Sequence, residues 1–139
     1  MKRGPTIKEL IKMAKGAREN AHAPYSQFKV GAAILTSEGK VFTGCNIESL
    51  SSGLALCAER VALAKAVSEG YRDFERLVLV ADCQGMCSPC GSCRQALYEF
   101  NSKMLISMVN LNGKEKEIAV SKLLPSAFRL KDEKVNSDG

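Results

Sequence analysis

The stretch Cys83–Gln95, "CQGMCSPCGSCRQ", carries four of the chain's six cysteines, at positions 83, 87, 90 and 93. Any fold for this chain must either gather these sulfurs at a centre or bury them separately. Pro89 stands directly before Cys90, and proline suits a helix start, where a backbone N–H has no intrahelical partner to lose. The residues from Cys90 to Asn101 read as a helix. Cys90 and Cys93, three residues apart, then project from one face of its first turn. A second segment, "CAE" at 57–59, opens another helix over Cys57–Glu69, which Gly70 ends. The dipole and free donors of a helix N-terminus lower a cysteine's pKa, so both segments present sulfur ready to bind metal as thiolate.

The rest of the composition narrows the chemistry. The start, "MKRGPTIKELIKMAKGAREN", has no continuous apolar run, so no secretory signal is expected, and no segment reaches the length of a membrane span. A cytoplasmic location is the expectation. In a reducing compartment, cysteines argue for metal ligation or core packing rather than disulfides. With no Trp and one His, metal or proton chemistry must lean on Cys, Asp and Glu. The net charge of +5 comes from Lys and Arg scattered along the chain, without the polybasic block of a nucleic-acid binder.

At 139 residues the chain is expected to be one domain, residues 1–139, with 129–139 as a polar, frayed tail. Ile7, Leu10, Ile11, Ala14 and Ala17 recur at helical spacing, predicting a helix from Thr6 to about His22 that "APYSQ" breaks. "FKVGAAILT" (28–36) and "VFTGCNI" (41–47) read as a hairpin around the turn "SEGK", and "SLSSG" (49–53) as a loop. "LVLVA" (77–81) is short and continuously apolar, as a strand buried on both faces should be. Met104–Val109 is a fourth strand and "EKEIAV" a fifth, followed by a short helix in "SKLLPSAF". Helices alternating with buried strands predict an α/β fold, a three-layer α-β-α sandwich around a five-stranded mixed sheet.

Cys57, Cys90 and Cys93 give three protein ligands. Three leave a fourth tetrahedral position open, which separates a catalytic zinc site from a closed structural one. Glu59, two residues from Cys57, is within reach of a water there and can take and pass on its proton. Cysteine or histidine before x-E, followed by P-C-x-x-C, is the pattern of zinc-dependent nucleobase deaminases.

The likeness goes further. "APYSQFKVGAA", "GCNIES", "CAERVAL", "SPCGSCRQ" and "LLPSAF", in this order and spacing, resemble the small cytidine deaminases from about Ala23 to Phe128. The resemblance implies one Zn²⁺ per chain on Cys57, Cys90 and Cys93, with Glu59 as proton shuttle. It further implies Phe28 stacking on the pyrimidine, Asn46 and Glu48 bonding the ribose hydroxyls, and backbone around Ala58 and Ser88 orienting the base. Phe128 matches an aromatic that closes a neighbouring subunit's site, in a family that is commonly a homotetramer. Arg60 would donate to the thiolates and offset the net negative charge of three sulfurs on one zinc ion. The implied activity is hydrolysis of cytidine and 2′-deoxycytidine to the uridines and ammonia, in pyrimidine salvage. No nucleic-acid or membrane partner is implied.

Other readings bear on the same residues. Cys83 and Cys87 with Cys90 and Cys93 give C-x3-C-x2-C-x2-C, but the long gap falls on the wrong side for a ferredoxin run and no proline follows the last cysteine. Both are read as small buried or loop thiols, Cys45 as core filler at a strand end, and His22 as a capping or surface residue. Alone, Phe28 would be a core residue and Asn46 and Glu48 solvated polar ones. The family usually continues after "NIE" with Asn, a small residue or two, and Tyr. Here Ser49–Gly53 has neither the amide nor the aromatic, which bears on sugar preference and keeps a deaminase of blasticidin-type nucleosides as the alternative. A polynucleotide deaminase fits less well, because such enzymes generally use His as first ligand. A non-catalytic zinc or iron–sulfur module is the alternative of another class.

Overall fold

The structure, a computed structural model, describes residues 4–83 and 88–128. Thr6 opens helix α1 (Ile7–Arg18): its hydroxyl accepts from the Glu9 N–H at 3.2 Å, and the Glu9 carboxylate accepts from the Thr6 N–H at 2.7 Å. Strands β1 (Val30–Thr36) and β2 (Val41–Cys45) follow, then helix α2 (Ala58–Ser68) and strand β3 (Phe74–Ala81). Helix α3 (Gly91–Phe100), strands β4 (Leu105–Asn110) and β5 (Glu115–Ala119) and the short helix α4 (Val120–Leu123) complete the order. The sheet runs β2-β1-β3-β4-β5, with β3 and β4 parallel and the other neighbours antiparallel. This is the expected five-stranded mixed sheet.

Side chains alternate across a strand, so these apolar runs feed both faces of the sheet. Ala33, Leu35, Val78, Val80 and Val109 meet Leu10 and Ala14 of α1 on one face. Ala32, Ile34, Leu77, Leu79, Ile106 and Met108 pack on the other with Ala62, Leu63 and Ala66 of α2 and with Leu97 and Tyr98 of α3. The expected three layers are therefore present.

Two glycines let the helices lie close to the sheet. A Cβ on Gly31 would meet the Ala14 carbonyl oxygen at 2.0 Å, and one on Gly44 would meet the Ala58 oxygen at 2.5 Å and the Ala62 nitrogen at 2.6 Å. Gly44 thereby sets the first turn of α2, with its flanking Cys57 and Glu59, against β2.

Several boundaries move for identifiable reasons. Helix α1 ends at Arg18 rather than near His22, because the His22 N–H donates to the Asn46 oxygen at 2.9 Å and the Glu48 N–H to the His22 oxygen at 2.8 Å. That bridge to the extension of β2 captures backbone groups a longer helix would need. Strand β1 starts at Val30, not Phe28, since Phe28 belongs to the preceding turn. Strand β3 reaches back to Phe74; Glu75 and Arg76 disguise its start, although Phe74 is buried and Arg76 donates to Ser107 Oγ on β4 and to Glu117 on β5. Strand β5 ends at Ala119 because Val120 turns in to donate to the Met104 oxygen at 2.8 Å and begins α4. A short 3-10 helix, Ser52–Leu54, occupies the expected loop. Among the described residues no helix is long and apolar enough to cross a membrane. The expected tail at 129–139 lies outside the described residues.

Candidate metal centre and active site

Cys57 and Cys90 are the N-cap residues of α2 and α3, and neither spends its side chain on a cap bond. Cys93 lies in the first turn of α3 and is fully buried. Cys57 Sγ is 3.7 Å from Cys90 Sγ, which is 3.3 Å from Cys93 Sγ, and all three sulfurs lie within 4.8 Å of one another. Zinc–sulfur bonds of about 2.3 Å at the tetrahedral angle would separate ligand sulfurs by about 3.8 Å. The donor set and its spacing therefore fit a zinc ion with small adjustment. Among the described residues this is the one cluster of three metal-ligating side chains.

The hydrogen bond from Cys93 holds the Cys57 thiol down to about 5, against the opposing effect of burial, with Cys90 and Arg60 adding to the lowering. The same bond, with burial, pushes Cys93 up. The Arg60 guanidinium lies against the sulfurs of Cys57 and Cys93, and its Nη2 donates to the Ala55 oxygen at 3.3 Å. Arg60 Nε is buried without a hydrogen-bond partner among the described residues. Glu59 is only 5% exposed, and its burial raises the carboxyl pKa, to which the Cys57 charge adds. A carboxyl poised in this way is suited to hold and release a proton.

A cavity of about 410 Å³ connects these groups to the surface. Its walls include Cys57, Ala58, Glu59, Arg60, Ser88 and Cys90 at one end and Phe28, Asn46 and Glu48 at the other. Nearly every residue singled out from the sequence meets here. Cys93, fully buried, and Phe128, 68% exposed, do not line this cavity; the Phe128 carbonyl accepts from Gln95 Nε2 at 3.0 Å. Val30, Ile47, Ala55, Leu56 and Leu79 also line it and were not foreseen. Apolar strand and loop residues carry no local sign that they face a cavity rather than a core.

At the far end, the polar side chains already have partners within the chain. Asn46 Oδ1 accepts from the Val30 N–H and Nδ2 donates to the Phe28 oxygen, both at 2.8 Å. Glu48 Oε1 accepts from the Tyr25 and Ser26 N–H groups at 3.0 and 3.1 Å, and Oε2 accepts from Ser26 Oγ. These bonds, led by the Ser26 hydroxyl, hold the Glu48 carboxyl below its usual range. A carboxylate offers about four acceptor positions, so close to one is left for a bound hydroxyl. Ser26 was missed. Its only signal was its place two residues before Phe28.

Cys83 departs from expectation. Expected as a small buried or loop thiol, it is disulfide-bonded in the structure. Sequence spacing does not reveal which sulfurs approach within bonding distance, so the thiol reading had no geometric basis. Cys87 lies outside the described residues. Cys45 is a half-buried free thiol at the end of β2, and His22 is exposed, its backbone serving the bridge to Ile47.

The family model for the "Cytidine and deoxycytidylate deaminase zinc-binding region" matches residues 5–109. A cytidine deaminase of Sporosarcina psychrophila is 49% identical over 127 residues, covering 91% of this chain and 93% of that protein. The crystal structure of a cytidine deaminase from Burkholderia pseudomallei superposes with a TM-score of 0.87 at 46% identity, over 89% of this chain and 100% of that one. A blasticidin-S deaminase of Bacillus cereus is also similar, at 31% identity over 107 residues, 71% of this chain and 76% of that protein. The helix-borne cysteines and the adjoining "CAE" thus lie in a matched zinc-binding region within a matched fold, and the chain belongs to the cytidine and deoxycytidylate deaminase family.

Proposed function

We propose that the protein hydrolyses cytidine and 2′-deoxycytidine to uridine and 2′-deoxyuridine with release of ammonia, as a step of pyrimidine salvage. The observation that carries this reading is the joining, in one cavity, of the three-sulfur centre, the buried Glu59 and the Phe28–Glu48 end. Cys57, Cys90 and Cys93 would hold one Zn²⁺ per chain. Bound there, zinc supplies a Lewis acid that makes water nucleophilic at neutral pH. Phe28 stacks on the pyrimidine, and the backbone at Ala58 and Ser88 orients its edge. Asn46 and Glu48 offer their remaining hydrogen-bond capacity to the sugar. As water adds to C4, Glu59 takes its proton and delivers it to N3, and a second transfer through Glu59 protonates the departing amine. Arg60 restrains the charge of the three sulfurs.

Exposed apolar side chains support a shared site. Leu50 and Leu54 are 85% and 71% exposed, and Phe28, Ile47, Leu56 and Phe128 are also exposed. Exposed apolar surface of this kind favours association. The reading is a homotetramer in which Phe128 reaches a neighbour's cavity. Residues 1–139 act as one domain in the cytoplasm.

The loop 49–53 favours a second reading, deamination of a blasticidin-type nucleoside, because it has neither the amide nor the aromatic that the family usually carries there. The more distant likeness to the blasticidin-S deaminase makes it secondary. Ammonia release from cytidine, deoxycytidine, cytosine, dCMP and blasticidin S separates the two. Turnover of the two nucleosides well above the others is expected, whereas turnover confined to blasticidin S would replace the first reading with the second.

A further inference from the structure

Ser26 is hydrogen-bonded to two residues that line the cavity, Phe28 and Glu48. Its hydroxyl accepts the Phe28 N–H at 2.9 Å and donates to Glu48 Oε2. Its own N–H donates to Glu48 Oε1 at 3.1 Å, and the Tyr25 N–H joins it there at 3.0 Å. One side chain therefore touches both the backbone that carries the cavity's aromatic ring and the carboxylate opposite. The Phe28 carbonyl is fixed separately, by Asn46 Nδ2 at 2.8 Å.

The turn itself needs such a fastening. Gln27, between Ser26 and Phe28, has φ 60°, in the left-handed region that costs a side-chain-bearing residue. Its N–H donates to the Ala23 oxygen at 2.9 Å, closing the turn on the other side. Phe28 is 41% exposed, so packing alone leaves its ring loosely held. The chain's answer is hydrogen bonding, and the Ser26 hydroxyl supplies the bond that ties the ring's backbone to the carboxylate. A hydroxyl can accept from Phe28 and donate to Glu48 through a single atom.

We propose that Ser26 is a positioning residue that couples the Glu48 carboxylate to the Phe28 ring, so that gripping the sugar and stacking the base are one event. The proposal rests on the reading of Phe28 and Glu48 as substrate contacts given above. Through the hydroxyl, Glu48 keeps one oxygen oriented for a substrate hydroxyl while Phe28 is held at the height of the pyrimidine. Loss of the hydroxyl frees the carboxylate to rotate and releases one end of the turn. Substrate binding then suffers, whereas Glu59 and the three sulfurs, on α2 and α3, are untouched.

The test is steady-state kinetics on the zinc-loaded protein with cytidine, comparing S26A, S26T, F28A and E48Q with the parent. S26A is expected to raise KM about tenfold with kcat within about threefold, since misplaced binding groups act on binding before chemistry. S26T keeps the hydroxyl and is expected to restore KM to within about threefold of the parent, which a role in packing would not predict. In an E48A background, S26A is expected to add less than about twofold, because the coupling partner is already gone. Unchanged KM in S26A, with raised KM in F28A and E48Q, would overturn the proposal alone. Equal impairment of S26A and S26T would overturn it too, as would full additivity with E48A. Unchanged KM in F28A and E48Q would overturn the substrate reading and the proposal with it.

Discussion

The two ends of the cavity are built by different means. At the metal end, the sulfurs and Glu59 stand at the N-termini of α2 and α3, which are packed on the sheet through Ala58, Ala62 and Leu97. Ala58, Glu59 and Cys93 are buried. At the Phe28–Glu48 end, Phe28 and Ile47 are exposed, and loop residues hold one another through hydrogen bonds. The chemistry needs groups held in fixed positions, and helices seated on a sheet provide them, with Glu59 and Cys93 buried, Cys57 half-buried and Cys90 exposed. A binding end can be softer, and in the proposed homotetramer a neighbour would complete it.

That contrast can be broken most severely at Glu59. Replacing it by Gln removes the proton carrier while leaving size and sulfurs alone, so kcat should fall by about 10⁴-fold with little change in KM. Zinc analysis should still find about one ion per chain, as for any open three-ligand site. A Glu59→Gln protein that keeps near-parental kcat would sink the assignment of the metal end as the chemical end.

A smaller effect compares two glycines. A Cβ on Gly44 would collide with the Ala58 oxygen and the Ala62 nitrogen, both backbone atoms, whereas one on Gly53 would meet nothing within 4 Å. Gly44→Ala should cost about 2 kcal/mol, as overpacking does, and lower the thermal midpoint by several degrees. Gly53→Ala should stay within about 0.5 kcal/mol. Equal stabilities in thermal melts would show that the helix seat is no tighter than the loop.

The smallest expected signal is one thiolate. In metal-free protein, ultraviolet thiolate absorbance should be present at neutral pH and disappear as pH falls through about 5, where Cys57 is held. Since an unfolded cysteine titrates near 8.5, this depressed value adds stability that is fully present above about 8.5 and lost as pH falls through the folded value. Cys57→Ser should erase the step. Absorbance that appears only above pH 8 would remove the hydrogen-bonded sulfur pair from the account.

Legibility followed the same division. The metal end could be read because its parts are local: Pro89 before Cys90, a cysteine pair three residues apart, and Glu59 two residues past Cys57. Both helices begin one residue inside the predicted ranges, with the cysteines as their N-caps. The strands were found as apolar runs, but the polar start of β3 hid behind Glu75 and Arg76, whose partners are on other strands. Ser26 escaped because its meaning depends on Glu48, distant in the chain. The Cys83 bond escaped for a like reason, since partnership between sulfurs is a matter of position rather than spacing.

What the sequence determined by itself was therefore whatever depends on neighbours along the chain: helix starts, buried runs, the ligand pair and the nearby carboxyl. Only the tertiary structure decided that Cys57 meets Cys90 at 3.7 Å, that Gly44 admits α2 against β2, and that Glu48 is tied to the Phe28 turn. Those facts depend on how closely packed layers approach and on which polar groups find partners across them. Such contacts join residues far apart in the chain, and no local pattern encodes them.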